Sequence, residues 1–276
     1  MPIRYFLFLG TLLFFFGCSQ NNPNSYRNMS KEERRIAADT FYNSYAYKSY
    51  QGSRYNQAMY DTLIRIDPFT EKYYRQKSIT HTKIGDYHIA FPLLEKSARL
   101  DPKESLYYYS WLLIELYRDY PRALDYLEQF DTLTPNQVDY AWGINVHHLR
   151  GLCYKQLGQY EKAVETFNQC VASEPYNAVD VYTFVYRGIC HYHLQNSQAA
   201  LADFDEAIRR YSRCSMAYYN KGKTLWELDK NAPEARKHLL KAKELVLNGH
   251  KKTDPYIEVF DEVYVEMVEE VLAEMD

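Results

Sequence analysis

Residues 144–177, INVHHLRGLCYKQLGQYEKAVETFNQCVASEPYN, decide how the whole chain reads. They fit two short helices joined by a turn. Gly151 and Tyr154 sit three apart on the first, Gly158 makes the turn, and Tyr160, Ala163, Phe167 and Cys170 line one face of the second before Pro175 stops it. Small residues at such points let two helices approach closely. The pattern recurs. With Ser44, Ser78, Leu112, Gly151, Gly188 and Gly222 as equivalent positions, the spacings are 34, 34, 39, 37 and 34 residues, and the repeats run about 37–70, 71–104, 105–137, 144–177, 181–214 and 215–249. Several close on an acid or Thr followed by Pro: Asp67 and Pro68, Asp101 and Pro102, Thr134 and Pro135, Glu174 and Pro175.

This order of Gly, aromatic, Ala, aromatic and closing Pro resembles the tetratricopeptide repeat, a helical hairpin of about 34 residues. The resemblance implies an all-α fold, a right-handed α-solenoid of about six helix pairs spanning 31–249. The end repeats diverge, as terminal repeats do: Asn56 stands where Ala is expected, and Pro233 forces an extra residue at a helix start. In 254–276, Ile257, Phe260, Tyr264, Met267, Val268, Val271 and Leu272 recur every three or four positions behind Asp254 and Pro255. That predicts a capping helix over 256–275, its outer surface carrying Glu258, Glu262, Glu266, Glu269, Glu270 and Glu274.

The N-terminus is of another kind. Its first eighteen residues, MPIRYFLFLGTLLFFFGC, hold one Arg and an apolar run from Tyr5 to Phe16, too short to span a bilayer as a helix. This reads as a secretory signal, residues 1–17. Phe15, Phe16, Gly17 and Cys18 resemble the bacterial lipobox, with Phe15 in place of the usual Leu; the resemblance implies cleavage before Cys18 and a diacylglycerol on its thiol. An ordinary secreted protein and an uncleaved anchor are the alternatives. Residues 18–30, rich in Asn and Ser, predict a disordered tether. The implied location is a bacterial membrane facing the periplasm, the outer membrane before the inner because Ser19 follows the cysteine.

Composition sets limits. Acids and bases number 36 and 33 for a net charge of -3, which gives no support to bulk electrostatic binding of nucleic acid. The five cysteines, at 18, 153, 170, 190 and 214, form no Cys-x-x-Cys pair. Equivalent positions of neighbouring repeats lie about 10 Å apart, beyond the roughly 7 Å limit for a disulfide, so the repeat cysteines read as small buried apolar residues. His147, His148, His191 and His193 could approach one another on adjacent helices, but no four-ligand zinc set accompanies them. The sequence has no Gly-x-Ser-x-Gly elbow, His-Glu-x-x-His motif or Gly-rich phosphate loop. No catalytic residue, metal or cofactor is expected.

In the family it resembles, first helices line a concave groove through fixed positions of each unit. Carried onto this chain, those positions give Phe41, Tyr45, Tyr109, Tyr117, Tyr182, Tyr192, Tyr219 and Trp226 as aromatics and Lys48, Lys72, Arg75, Lys83, Lys155 and Lys223 as bases, with His148 among them and Glu227 as the acid. Aromatic anchors with cations are what recognition of an acidic peptide needs. The expected function is a lipid-anchored, non-enzymatic adaptor holding an envelope protein or peptide; the alternative is a glycan-binding protein whose exposed Tyr and Trp stack on sugars.

Overall fold

Helix begins where the sequence supplies a cap. The Ser30 hydroxyl accepts from the Glu33 amide at 3.3 Å and the Glu33 carboxylate accepts from the Ser30 amide at 2.8 Å, satisfying two donors that a helix start leaves unpaired. The computed structural model describes residues 26–135, 137–141, 143–254 and 257–275, and divides the chain into two units between Ser105 and Leu106. The leader, Cys18 and the tether up to residue 25 lie outside the described residues. Residues 26–30, expected to be tether, form a turn instead: the Met29 amide donates to the Tyr26 carbonyl, and Tyr26 packs against the first hydrophobic cluster.

The first unit contains α1 (Lys31–Phe41), which passes into a π-helical turn (Tyr42–Ala46), then α2 (Arg54–Ile66), α3 (Glu71–Lys83) and α4 (Tyr87–Leu100). Its first repeat is irregular for a visible reason. Asn56 replaces the small residue of the pattern yet is buried, and its Nδ2 donates to Ser49 Oγ at 2.7 Å, tying down the long connection between α1 and α2. Asp67 closes the repeat by accepting from the Phe69 amide at 3.0 Å and the Thr70 hydroxyl at 2.6 Å. The hairpin of α3 and α4 is regular, and Gly85, at φ +81°, makes its turn.

The second unit opens inside α5 (Pro102–Glu115) and continues through α6 (Tyr120–Thr132), α7 (Val146–Gln156), α8 (Tyr160–Ser173), a 3-10 turn (Tyr176–Ala178), α9 (Val181–His193), α10 (Ser197–Arg210), α11 (Ser215–Glu227), α12 (Ala232–Leu247) and α13 (Val265–Ala273). The 39-residue spacing noted above is explained by an inserted two-stranded hairpin, β1 (Tyr140–Ala141) and β2 (Ile144–Asn145), so α7 starts at Val146 and not at Ile144. Helices α7 and α8, α9 and α10, and α11 and α12 form successive hairpins, and first helix α9 touches both α7 and α11.

Packing explains the glycines. A Cβ on Gly151 would lie 2.6 Å from Phe167, one on Gly188 2.6 Å from Phe204, and one on Gly222 2.7 Å from Leu239. The first two pairs are sixteen residues apart and the third seventeen, the extra residue being the one that Pro233 brings. Cys153, Cys170, Cys190 and Cys214 are buried and unbridged, and burial pushes the thiols of Cys170 and Cys190 up to about 12.

The capping helix is shorter than expected. It covers Val265–Ala273 and packs on α12, burying Val268, with Lys243 paired to Glu269 at 2.6 Å. The described residues before it, 257–264, are not helical, and Asp261 has φ +53°. Their apolar side chains satisfy another demand: Val259, Phe260 and Val263 are buried, Phe260 against Tyr120 at the start of α6 and Arg118 just before it, a tertiary contact that overrides the helical period.

Candidate binding surfaces

In the first unit the expected residues separate into three kinds. Phe41 is buried in the core and offers no ring to a partner, a correction to its placement on an open face. Arg75 is not a free cation: Glu71 accepts from its Nε at 3.2 Å and its Nη2 at 3.3 Å, and the same carboxylate accepts from Ser97 and Ser105. Tyr45, Lys48, Lys72 and Lys83 are exposed, with the Lys72 ammonium 4.6 Å from the centre of the Tyr42 ring. Tyr47 and Tyr50, at 72% and 85% exposure, extend this aromatic surface beyond what the repeat positions indicated.

In the second unit, Tyr109, Tyr219 and His148 are also buried and so misplaced by the sequence reading. Tyr109 packs on Tyr126 with ring centres 5.1 Å apart. His148 lies edge-on to Phe167 and Tyr186, and its Nδ1 is 2.7 Å from Thr183 Oγ1; burial pushes its imidazole down to about 4, so it is a neutral seam residue. Tyr117, Tyr182, Tyr192, Lys223 and Trp226 are half-buried. Glu227 accepts from the Tyr192 hydroxyl and lies 3.9 Å from Lys223, while Trp226 Nε1 donates to Glu274 at 3.4 Å.

Lys155 is the residue on which this surface turns. Its side chain is only 6% exposed, and its ammonium donates to Asp261 at 2.6 Å beneath the Tyr186 ring. Asp261 belongs to the non-helical stretch before α13, and its neighbours are held with it. The Arg118 guanidinium lies 3.9 Å from the centre of the Phe260 ring and also donates to the Glu258 carbonyl; Tyr120 packs against Phe260 with centres 6.3 Å apart. Upstream, the Lys252 ammonium sits 4.3 Å from the Tyr182 ring centre and donates to Tyr186 Oη at 3.4 Å. Lys251 pairs with Glu262. Beside them burial raises the Glu115 carboxyl above its usual range, while Lys252 and Arg118 pull it down.

Thus α7, α9 and the turn after α5 converge on a non-helical turn carrying a ring and a carboxylate. The sequence reading names Lys155 and Tyr182 but not Arg118, Tyr120, Tyr186 or the segment itself, and it expects Lys155 on an open face where the structure buries it against Asp261. The pair Phe260 and Asp261 was the available signal, and it was absorbed into the expected helix. Among the described residues, no group of three or more His, Cys, Asp or Glu could hold a metal, and no helix is long and apolar enough to cross a membrane.

Tetratricopeptide repeat models match residues 144–177 and 187–246. A TPR repeat-containing protein, MJ1428, of Methanocaldococcus jannaschii is 23% identical over 134 residues, 48% of this chain but 22% of that protein, so the chain spans about a fifth of its relative's length. Two solved structures share the fold. The MamA protein of Desulfovibrio magneticus RS-1 is 19% identical with a TM-score of 0.56, covering 64% of this chain and 96% of that one. YrrB, described as a TPR protein with an unusual peptide-binding site, is 18% identical with a TM-score of 0.53, covering 67% and 91%. Residues 144–177 and 187–246 are therefore tetratricopeptide repeats, and the chain has the helix-pair fold of tetratricopeptide proteins.

Proposed function

We propose that this chain is a non-enzymatic adaptor that holds a protein segment on the face formed by α7, α9 and the turn after α5, and that a lipid on Cys18 anchors it in a bacterial envelope. The observation that carries the adaptor reading is the Lys155 to Asp261 contact with its ring of Arg118, Tyr182 and Tyr186. A face that presents a desolvated ammonium to a carboxylate and buries an aromatic ring of a non-helical segment has the chemistry of peptide recognition. The peptide-binding site for which YrrB is described supports the same reading for a protein of like fold.

The anchor rests on the sequence pattern ending at Cys18. With Cys18→Ala, labelled fatty acid is expected to be absent from the chain and the precursor to stay uncleaved; labelling of that variant would exclude the lipid at this position. The adaptor reading is tested by affinity capture with the processed chain and with the double variant Arg118→Glu, Tyr182→Ala, whose side chains are half-buried on the proposed face. A protein partner that the double variant retains less well supports it. Recovery of polysaccharide instead would favour glycan binding, a reading for which the exposed rings of Tyr47 and Tyr50 speak.

A further inference from the structure

The segment on this face connects two packed elements. Helix α12 ends at Leu247 and α13 begins at Val265, and the two pack together, so residues 257–264 lie between two docked elements. Within 257–264 the attachments to the face are side-chain contacts, Phe260 under Arg118 and beside Tyr120 and Asp261 on Lys155, with the Glu258 carbonyl accepting from Arg118; Val259 and Val263 are buried as well, and Glu262 pairs with Lys251 inside the same connection. No helix or strand ladder holds these residues. Asp261 is also in the left-handed backbone region, which Asp adopts more readily than most non-glycine residues, so the chain turns at this point.

We infer that residues 257–264 are a displaceable internal ligand of the face. The competing partner carries a non-helical protein segment that turns where an aromatic residue is followed directly by a carboxylate, and it places its ring on Arg118 and its carboxylate on Lys155. This inference rests on the adaptor reading and specifies its partner. Charge complementarity commits it to an acidic segment: the face presents Arg118 and Lys155, and without an acid the Lys155 ammonium would be buried unpaired. Because the internal segment is tethered at both ends, it competes at high effective concentration. The face is then open for only a fraction of the time, and the apparent affinity for a partner falls by that fraction.

The probe is a labelled peptide with the sequence of residues 257–264, Ile-Glu-Val-Phe-Asp-Glu-Val-Tyr, titrated against the full chain by fluorescence anisotropy. The double variant Phe260→Ala, Asp261→Asn is expected to bind it at least tenfold more tightly than the unaltered chain. Adding Lys155→Met to that variant should cancel the gain. Equal affinity in the unaltered and double-variant chains overturns the inference, as does a gain that survives Lys155→Met. If the double variant fails to fold, hydrogen exchange on the unaltered chain decides. Amides of 257–264 should exchange at least a hundredfold faster than those of α7 and α9; equal protection makes the segment a permanent structural element and refutes release. A dimer whose mass halves on adding the peptide would mean that the occupant is a second copy, and would equally refute a foreign partner. Failure of affinity capture alone would count against the adaptor reading, whereas failure of the peptide titration with capture intact would count against the internal ligand.

Discussion

Lys155 in the second unit and Lys72 in the first both sit on first helices, Lys72 at the start of α3 and Lys155 near the end of α7, and they live in different solvents. Lys155 has lost nearly all its water and is held by Asp261, whereas Lys72 is exposed and leans on the Tyr42 ring. An ammonium in water needs no partner, while a buried one needs a counter-charge or gives up its proton. The same repeat pattern therefore produces two kinds of face. One is solvated and tolerant; the other is desolvated, and its chemistry dictates what can lie on it.

The largest test of this contrast is Asp261→Ala. Removing one partner of a mostly buried pair leaves Lys155 unpaired, and urea unfolding should show a loss of about 3 kcal/mol. Lys72→Ala should change stability by less than about 0.5 kcal/mol. Equal effects would erase the distinction between the faces.

Acid should weaken the second unit next. His148 is neutral in the fold because burial pushes its pKa down to about 4, and burial likewise lowers those of His147, His191 and His238. Between about pH 6.5 and 4 the unfolded chain binds a proton that folded His148 refuses. The stability it contributes is thus fully present above about 6.5 and is lost as the pH falls towards 4. From the shift, the loss is about 3 kcal/mol for His148 alone. By pH 5 about 2 kcal/mol of this should be gone; thermal midpoints at pH 7.5 and pH 5 measure it, and His148→Gln should reduce the difference.

Packing supplies a smaller contrast. In the second unit Gly188 faces Phe204, and the Cβ of Gly188→Ala would force that ring aside at about 1–3 kcal/mol. In the first unit Ser78 holds the equivalent place, and the residue sixteen positions on is Leu94, a smaller side chain that leaves room for a Cβ. Ser78→Ala should therefore cost less than Gly188→Ala, as calorimetry would show.

The smallest effect lies in the turns. Gly85 and Gly158 adopt positive φ after their first helices, and Arg118, Gln195 and Lys230 do the same without glycine's freedom. Lys230→Gly should raise the melting temperature slightly, by roughly 0.5–1 kcal/mol of relieved strain. A loss would mean that the side chain contributes more than the backbone conformation costs.

Local patterns were legible in the chain and remote ones were not. Gly151 with Phe167, Gly188 with Phe204 and the hairpin turns follow from spacing within one helix pair, so the helix-pair fold could be read from period alone. The face was harder. Phe41, Tyr109, His148 and Tyr219 fall at positions where a small rotation about the helix axis exchanges inside for outside, and spacing does not fix that rotation. The segment at 257–264 was misread because its apolar positions fit a helix, while its partners, Lys155 above all, lie about a hundred residues away in sequence. No local rule weighs such a contact against the helix.

The most direct measurement is a double-mutant cycle between Lys155 and Asp261, with Lys155→Met, Asp261→Asn and the pair compared by urea unfolding. A desolvated contact predicts a coupling energy above about 1.5 kcal/mol that survives high salt. Additive single-variant effects, with coupling near zero, would contradict the account, because the C-terminal segment would not then be seated on the face of α7 and α9.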